Sequence, residues 1–295
     1  MDQLIRDLLP AFDYVAPDKL EDVLSKIQEN GYILAGGTDV IVSIKEADLR
    51  PACLVSMKKL VAQLSYIRFD DSLAMLSIGA LTTIREIEKS EAVRARFPIL
   101  ADAAEHLAHP QIRSKATIGG NLCNASPCAD TALPLLVYDA ELELTRLSGN
   151  RRVRIEEFFT GPGETCLQRG EILRSISMKV RPSARGIFMK LGRRTGRDLA
   201  IASTAILLTM EKNVCKDARI ALGSVAPIPM RARKAESMLR GSILTRQLID
   251  KVARAAQDEA KPITDVRASA DYRSDMVRVL TRRGILRLVG GEIGE

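Results

Sequence analysis

The sequence predicts an α+β protein in two parts, on three observations. Its 295 residues suffice for about two domains. Up to about residue 180 short strand-like and helix-like runs mix, and beyond it three or four strands are followed by helices. Two apolar runs break into paired glycines, Leu34-Ala35-Gly36-Gly37-Thr38-Asp39-Val40 and Thr117-Ile118-Gly119-Gly120-Asn121-Leu122. Adjacent glycines let backbone N–H groups approach a bulky anion with no Cβ in the way. The next side chain, Thr38 or Asn121, can donate to an oxygen. Two such loops point to one extended, phosphate-bearing cofactor held at two places. Each pair taken alone also fits a tight turn after a strand.

The elements follow in order. Phe12 to Pro17 is extended. Asp18 is placed to cap a helix from Lys19 to about Gln28, with Leu20, Val23, Leu24 and Ile27 on one face and Asn30-Gly31 as its stop. Tyr32 to Ala35 is a short strand running into the first glycines, and Val40 to Glu46 is helix-like, the layout of many phosphate sites. Cys53 to Met57 is a strand; Tyr66 to Phe69 and Ala74 to Gly79 form a hairpin around Asp70-Asp71-Ser72. Thr82 or Thr83 caps a helix over Ile84 to Lys89, with Glu86 spaced for a capping box with Thr83. A helix over Phe97 to Ala108 delivers the chain to the second glycines.

Leu133 to Tyr138 is apolar throughout and reads as a buried helix. Ala140 to Leu147 alternates as a half-exposed strand does, and Arg152 to Ile155 repeats the pattern. Strands over Ile172 to Val180, Gly186 to Leu191, Ala200 to Met210 and Ala218 to Val225 follow, the last two parted by a turn near Lys212-Asn213. Helices over Ala235 to Leu239, Thr245 to Glu259 and Tyr272 to Leu288 end the chain.

Composition narrows the function. No stretch approaches the roughly 18 apolar residues of a membrane span. Met1 to Asp7 carries acids where a secretory signal is basic, so a cytoplasmic protein is expected. Five cysteines, at 53, 123, 128, 166 and 215, are odd in number and lack framework spacing, which suits a reducing compartment. Cys123 and Cys128 with His106 and His109 match no zinc spacing, so no metal is expected; the histidines read as ordinary helix-end residues. The 44 Lys and Arg exceed the 37 Asp and Glu by seven, with clusters at Arg151 to Arg154, Arg193-Arg194, Arg231 to Lys234 and Arg282-Arg283. Only 4% of residues are aromatic and none is Trp, so no stacking platform exists and no nucleic acid is expected. The arginines read instead as solvated surface or ion pairs.

The common nucleotide motifs are missing: no G-x-x-x-x-G-K-[ST], no G-x-G-x-x-G, and Gly161-Pro162-Gly163 has a proline where a donor is needed. No G-x-S-x-G elbow is present either. Asp130 follows the second glycines. It is placed to accept from hydroxyls of a ribityl or ribose chain, or to cap the helix before Leu133.

At this point the motifs resemble a known family. Leu34 to Val40 (LAGGTDV) and Thr117 to Thr131 (TIGGNLCNASPCADT) are similar to the two flavin signatures of the FAD subunit of molybdenum hydroxylases. That group holds the xanthine dehydrogenase FAD domain, the carbon monoxide dehydrogenase medium chain and FAD subunits of nicotinate and aromatic-CoA enzymes. Phe188 to Arg194, Leu222 to Pro227, Tyr272-Arg273 and Arg282-Arg283 recur there in the same order, so the resemblance spans essentially the whole chain.

The resemblance implies a two-subdomain FAD-binding domain of the vanillyl-alcohol-oxidase (PCMH) type over 1–180, divided into about 1–57 and 58–180. It implies a sheet-plus-helices C-terminal domain of the CO dehydrogenase flavoprotein type over 181–295. The pyrophosphate would be held by Ile33, Leu34, Ala35, Gly36, Gly37, Thr38, Asp39 and Val40 and by Thr117, Ile118, Gly119, Gly120 and Asn121. Asn124 and Asp130 would reach the ribityl or ribose part, Leu173 would give an apolar contact, and Lys190 would sit near the flavin ring. A lysine beside the pyrimidine edge would stabilise the reduced, anionic ring, whereas as a surface residue it would be unremarkable.

It also implies a division of labour. A molybdopterin-binding large subunit would oxidise the substrate, iron-sulfur clusters on a small subunit would relay electrons, and FAD on this chain would pass them to an external acceptor such as NAD. No catalytic acid–base pair is then needed here. Carbon monoxide dehydrogenase relatives have His or Gln, then Ser, after the first glycines, so Thr38-Asp39 leans toward the xanthine, nicotinate or aromatic-CoA branches. Asn121 runs to Asp130 with no cysteine-bearing insert, so no cluster is expected on this chain. Two other readings compete. A free-standing flavin oxidase needs a larger substrate domain than the roughly 115 residues after 180 provide. A cofactor-free basic binding module predicts a colourless protein with salt-dependent binding to polyanions.

Overall fold

Apolar spacing rather than a cap sets the first helix of the described residues. Leu20, Val23, Leu24 and Ile27 are all buried along α1 (Leu20–Gln28), but Lys19 holds the N-cap position with no side-chain bond, so Asp18 does not cap it. The structure, a computed structural model, describes residues 10–194 and 198–290. The reading of Met1 to Asp7 lies outside them.

α1 packs on a parallel three-stranded sheet ordered β1 (Asp13–Val15), β3 (Cys53–Ser56), β2 (Gly31–Leu34). Their shared core joins Val23, Leu24, Val55, Leu60 and Leu64. An antiparallel five-stranded sheet follows, ordered β4 (Ile67–Asp70), β5 (Met75–Gly79), β10 (Ile172–Lys179), β6 (Glu141–Arg146), β7 (Gly149–Arg154). Its apolar face, with Leu76, Ile78, Leu142 and Ile176, meets Ile84, Phe97, Leu100 and Leu133 from the intervening helices. A four-stranded antiparallel sheet ordered β11 (Ala184–Leu191), β12 (Ala202–Glu211), β13 (Val214–Gly223), β14 (Met230–Arg231) lies beyond.

The two-residue period of this last sheet explains why β12 is buried on both faces. Ile206 and Leu208 join the core under three C-terminal helices, Arg233–Leu239, Arg246–Glu259 and Ala270–Val289, while Ala205 and Leu207 join the core of the five-stranded sheet. Among the described residues no helix is long and apolar enough to cross a membrane.

The predicted capping box is present. Thr83 Oγ1 accepts from the Glu86 N–H at 3.2 Å, and Glu86 Oε2 accepts from the Thr83 N–H at 2.7 Å. Thr83→Ala is expected to cost about 0.5–2 kcal/mol in a urea melt. Other boundaries differ from the reading. Phe97 to Ala108 is a helix only over Pro98–His106, with a separate short helix over Glu91–Arg96 before it. Ile155, read as the end of a strand, starts a short helix over Ile155–Phe158 that buries Ile155 and Phe158. A small hairpin, β8 (Phe159–Gly161) and β9 (Glu164–Thr165), was not foreseen.

Four carboxylates give the fold an acid-sensitive side. Burial alone would raise Asp139 and Asp217; the hydrogen bond and charge of Arg219 hold both below the usual range, helped by Arg231 and Arg181 at Asp139 and by Arg240 at Asp217. Glu171 is lowered by its hydrogen bond from Arg151, and Asp265 by the Arg267 N–H and then by Arg273. Each folded value lies below the unfolded one, so the unfolded chain binds more protons and stability rises with pH through that window. The contribution is complete above the unfolded carboxylate values of about 4 and is lost as the pH falls below them. Urea midpoints measured across this range are therefore expected to drop steeply only below about pH 4.

Candidate functional site

The first glycines leave β2 in a bend and the second sit in the opening turn of a helix over Ile118–Cys123. The two segments touch. A Cβ on Gly36 would lie 2.1 Å from the Lys115 carbonyl oxygen, just before the second signature, and Gly37 has φ +75°. A Cβ on Gly119 would lie 2.7 Å from both the Cβ and the carbonyl oxygen of Ala80, which follows β5.

The two pairs, both expected to hold the pyrophosphate, differ in what their backbone donors do. Around the second pair every N–H is spent inside the protein. Ile118 donates to Thr82 O, Gly119 to Ala80 O, Gly120 to Thr117 Oγ1 and Asn121 to Thr117 O, all at 2.9–3.0 Å. These glycines permit close packing. Around the first pair, the N–H groups of Gly36, Gly37, Thr38 and Asp39 have no acceptor among the described residues. Four consecutive free donors form an anion-binding concavity.

One cavity of about 640 Å³ joins both segments, within the usual range of cofactor sites. Of the residues singled out, Ile33, Ala35, Gly36, Gly37, Thr38, Asp39, Val40, Thr117, Gly119, Gly120, Asn121, Asn124, Asp130, Leu173 and Lys190 line it. Leu34 and Ile118 do not. The Leu34 side chain lies beneath the loop, its Cδ1 3.3 Å from a Cβ on Gly37, and Ile118 is fully buried in the core. Thr131 Oγ1 donates to Asn121 Oδ1 at 2.6 Å, which leaves the Asn121 amide NH₂ to donate to a ligand.

Asp130 and Lys190 meet at the cavity wall. Lys190 Nζ lies 2.6 Å from Asp130 Oδ2 and donates to the His106 carbonyl at 3.0 Å, and both acidic and basic side chains are 6% exposed. Asp130 therefore does not cap the following helix, Ala132–Val137, whose N-cap residue is Thr131. Nor is Lys190 a lone cation. Burial pushes the Asp130 carboxyl up to about 6, with the Lys190 charge and hydrogen bond pulling it down. Asp130 Oδ1 is buried and has no partner among the described residues.

Sequence reasoning missed Arg169, which lines the cavity. It donates to Gln28 O at 3.1 Å and Asn30 Oδ1 at 2.8 Å, contacts about 140 residues away in sequence that no local pattern announces. The basic clusters are largely spent on ion pairs: Arg151 with Glu171, Arg231 with Glu236, Arg233 with Glu156 and Arg282 with Asp250.

The donors and acceptors fit FAD. The four free N–H groups suit a pyrophosphate, the unpartnered Asp130 oxygen suits a hydroxyl, and Ile33, Leu173 and their neighbours give an apolar wall. Comparisons with known proteins agree. Residues 10–178 match the family described as "FAD binding domain in molybdopterin dehydrogenase", and residues 187–288 match "CO dehydrogenase flavoprotein C-terminal domain". The chain is 32% identical to the glyceraldehyde dehydrogenase medium chain of Sulfolobus acidocaldarius, over 93% of this chain and 97% of that one. It is 34% identical to the carbon monoxide dehydrogenase medium chain of Afipia carboxidovorans, over 94% and 96%. The fold superposes on a solved carbon monoxide dehydrogenase chain from Hydrogenophaga pseudoflava with a TM-score of 0.91 at 29% identity, covering 97% of this chain and 100% of that one. A PCMH-type reading of the first part is consistent with these matches. The chain belongs to the FAD-binding medium subunits of the molybdenum hydroxylase family.

Proposed function

We propose that this chain is the electron-transfer FAD subunit of a cytoplasmic, heteromeric molybdenum hydroxylase. The cavity that joins both glycine segments carries the reading, with four free N–H groups on one of them. When bound, FAD supplies the redox chemistry, taking up electrons from a molybdopterin-binding large subunit by way of iron-sulfur clusters on a small subunit and releasing them to an external acceptor such as NAD.

The chain's own residues bind and orient. Gly36 to Asp39 donate to the pyrophosphate, and the Asn121 NH₂ adds a side-chain donor. Asp130 accepts from a hydroxyl, Leu173 excludes water from an apolar face, and Asn124 lies at the ribityl or ribose part. The FAD-binding part extends over 1–180, with subdomains about 1–57 and 58–180, and the C-terminal part over 181–295. The separate core beneath the C-terminal helices supports that division. Thr38-Asp39 favours the xanthine, nicotinate or aromatic-CoA branches; identities of 31% to a xanthine dehydrogenase FAD-binding subunit and 28% to a nicotinate dehydrogenase FAD-subunit make no choice between those two.

The test is the cofactor and company of the protein purified from its native cells. FAD near one per chain, with two co-purifying chains that carry molybdenum and iron, is the expected result. FAD without those chains would favour a free-standing flavin oxidase. A colourless protein that takes up no added FAD would sink the flavoprotein reading.

A further inference from the structure

We propose that Lys190 is a positioning residue: by holding Asp130 Oδ2 it fixes Oδ1 as an ionised acceptor for one hydroxyl of FAD, and it does not act on the flavin ring directly. The proposal rests on the reading that this cavity takes FAD.

Several buried side-chain polar atoms lack a partner among the described residues, on Asp130, Arg181, Ser203, Thr204, Ser224, Arg231, Arg273 and Thr281. Of these residues, Asp130 is the one that lines the cavity. A carboxylate oxygen accepts and cannot donate, so the missing partner is a donor. Phosphate offers none and repels the charge. FAD has neutral donors in its ribityl and ribose hydroxyls, its flavin N3–H and its adenine amine, and of these the hydroxyls adjoin the pyrophosphate, for which the first glycine segment offers its free N–H groups in the same cavity.

Lys190 is placed to aim that carboxylate. Its ammonium is fixed at two points from two parts of the chain, Asp130 Oδ2 at 2.6 Å and the His106 carbonyl at 3.0 Å. His106 closes the Pro98–His106 helix and is held there by a bond between its Nδ1 and the Asp102 carbonyl at 2.8 Å. The carboxylate is thus pinned through one oxygen to a rigid helix end. The same pair argues against direct action on the ring. A cation 2.6 Å from its counter-charge has a dipolar field that falls off much faster than that of a free charge.

The test titrates full-length apoprotein with FAD and with FAD analogues that each lack one ribityl or ribose hydroxyl, followed by flavin fluorescence. In the wild type one analogue is expected to bind about 10- to 100-fold more weakly than FAD, the scale of a hydrogen bond to a charged group. In Lys190→Met, FAD itself should weaken by a similar factor and the penalty for that analogue should shrink to within about threefold, as a coupled pair requires. A merely structural role would leave that penalty in place. Without Lys190 the buried Asp130 carboxyl rises further and takes up a proton, so the net charge beside the cofactor is unchanged and the ratio of affinities for oxidised and reduced FAD should stay within about threefold.

Should Lys190→Met fail to fold, the double variant Asp130→Asn with Lys190→Met removes both charges of the buried pair and is compared with Asp130→Asn alone. Lys190→Met should then change FAD affinity by less than about threefold in that background. The proposal falls if every analogue binds the wild type as FAD does. It falls too if Lys190→Met keeps the analogue penalty while changing the oxidised-to-reduced ratio, which is the result for direct action on the ring. A wild-type protein that binds no FAD at all overturns the functional reading itself, and this proposal with it.

Discussion

Gly36→Ala is expected to cost at least about 100-fold in FAD affinity, or roughly 2.7 kcal/mol. The new Cβ would sit 2.1 Å from the Lys115 carbonyl oxygen, 2.8 Å from its carbon and 3.1 Å from Ala116 Cα. All three are backbone atoms, so no side-chain rotation relieves the overlap, and the first glycine loop must move away from the segment entering the second. That loop carries the four free N–H groups, and a displaced nest no longer matches one anion. Gly163→Ala is the control. Gly163 has a positive φ, of +74°, but a Cβ there meets nothing within 4 Å and the residue is not part of the cavity wall. It should cost about 1–2 kcal/mol of stability from backbone strain and leave FAD affinity within about threefold. Fluorescence titration of both variants, with thermal melts of the apoproteins, separates binding from folding. Wild-type FAD affinity in Gly36→Ala would show that the first loop does not hold the cofactor.

The features legible in the sequence are those that local chemistry decides. The apolar face of α1, the Thr83 to Glu86 capping box and the hairpin turn at Asp70 each depend on residues within one or two turns of chain, and each is present. The second glycine segment was misread because glycines are poor helix formers. Thr117 caps that helix, and the carbonyls of Ala80 and Thr82 hold its first N–H groups from some 40 residues away. Tertiary contacts thus overrode propensity. The division of labour between the glycine pairs was hidden for the same reason, since whether an N–H is free depends on distant acceptors. Lys190 and Asp130 were each singled out, but their pairing across 60 residues has no sequence signal. Gly161-Pro162-Gly163 was weighed only as a nucleotide motif and is instead the turn between β8 and β9.

Glu236→Ala is expected to destabilise the chain by about 3 kcal/mol, the low end of the range for breaking a buried ion pair. Glu236 is fully buried on the Arg233–Leu239 helix and serves three donors. Oε1 accepts from the Ile220 N–H at 2.9 Å and from Arg231 Nε, and Oε2 accepts from Arg240 at 3.2 Å. Removing it strands a backbone N–H in β13 and strips Arg231, itself 5% exposed, of its closest counter-charge. The loss stays near the low end because Arg231 keeps Asp139 Oδ1 and the Leu136 carbonyl, both at 3.1 Å. Those two bonds tie β14 to the end of the Ala132–Val137 helix, in the part of the chain that forms the cavity. Arg231 is therefore a strut between the C-terminal sheet and the FAD-binding part, and Glu236 holds the strut straight. Glu236→Gln keeps an acceptor for the Ile220 N–H but not the charge, so it should cost less than Glu236→Ala and more than the wild type. Urea midpoints of the three proteins order these cases. Equal midpoints for Glu236→Ala and the wild type would mean that the arginine network reorganises around Asp139 at no cost, and that the strut carries no load.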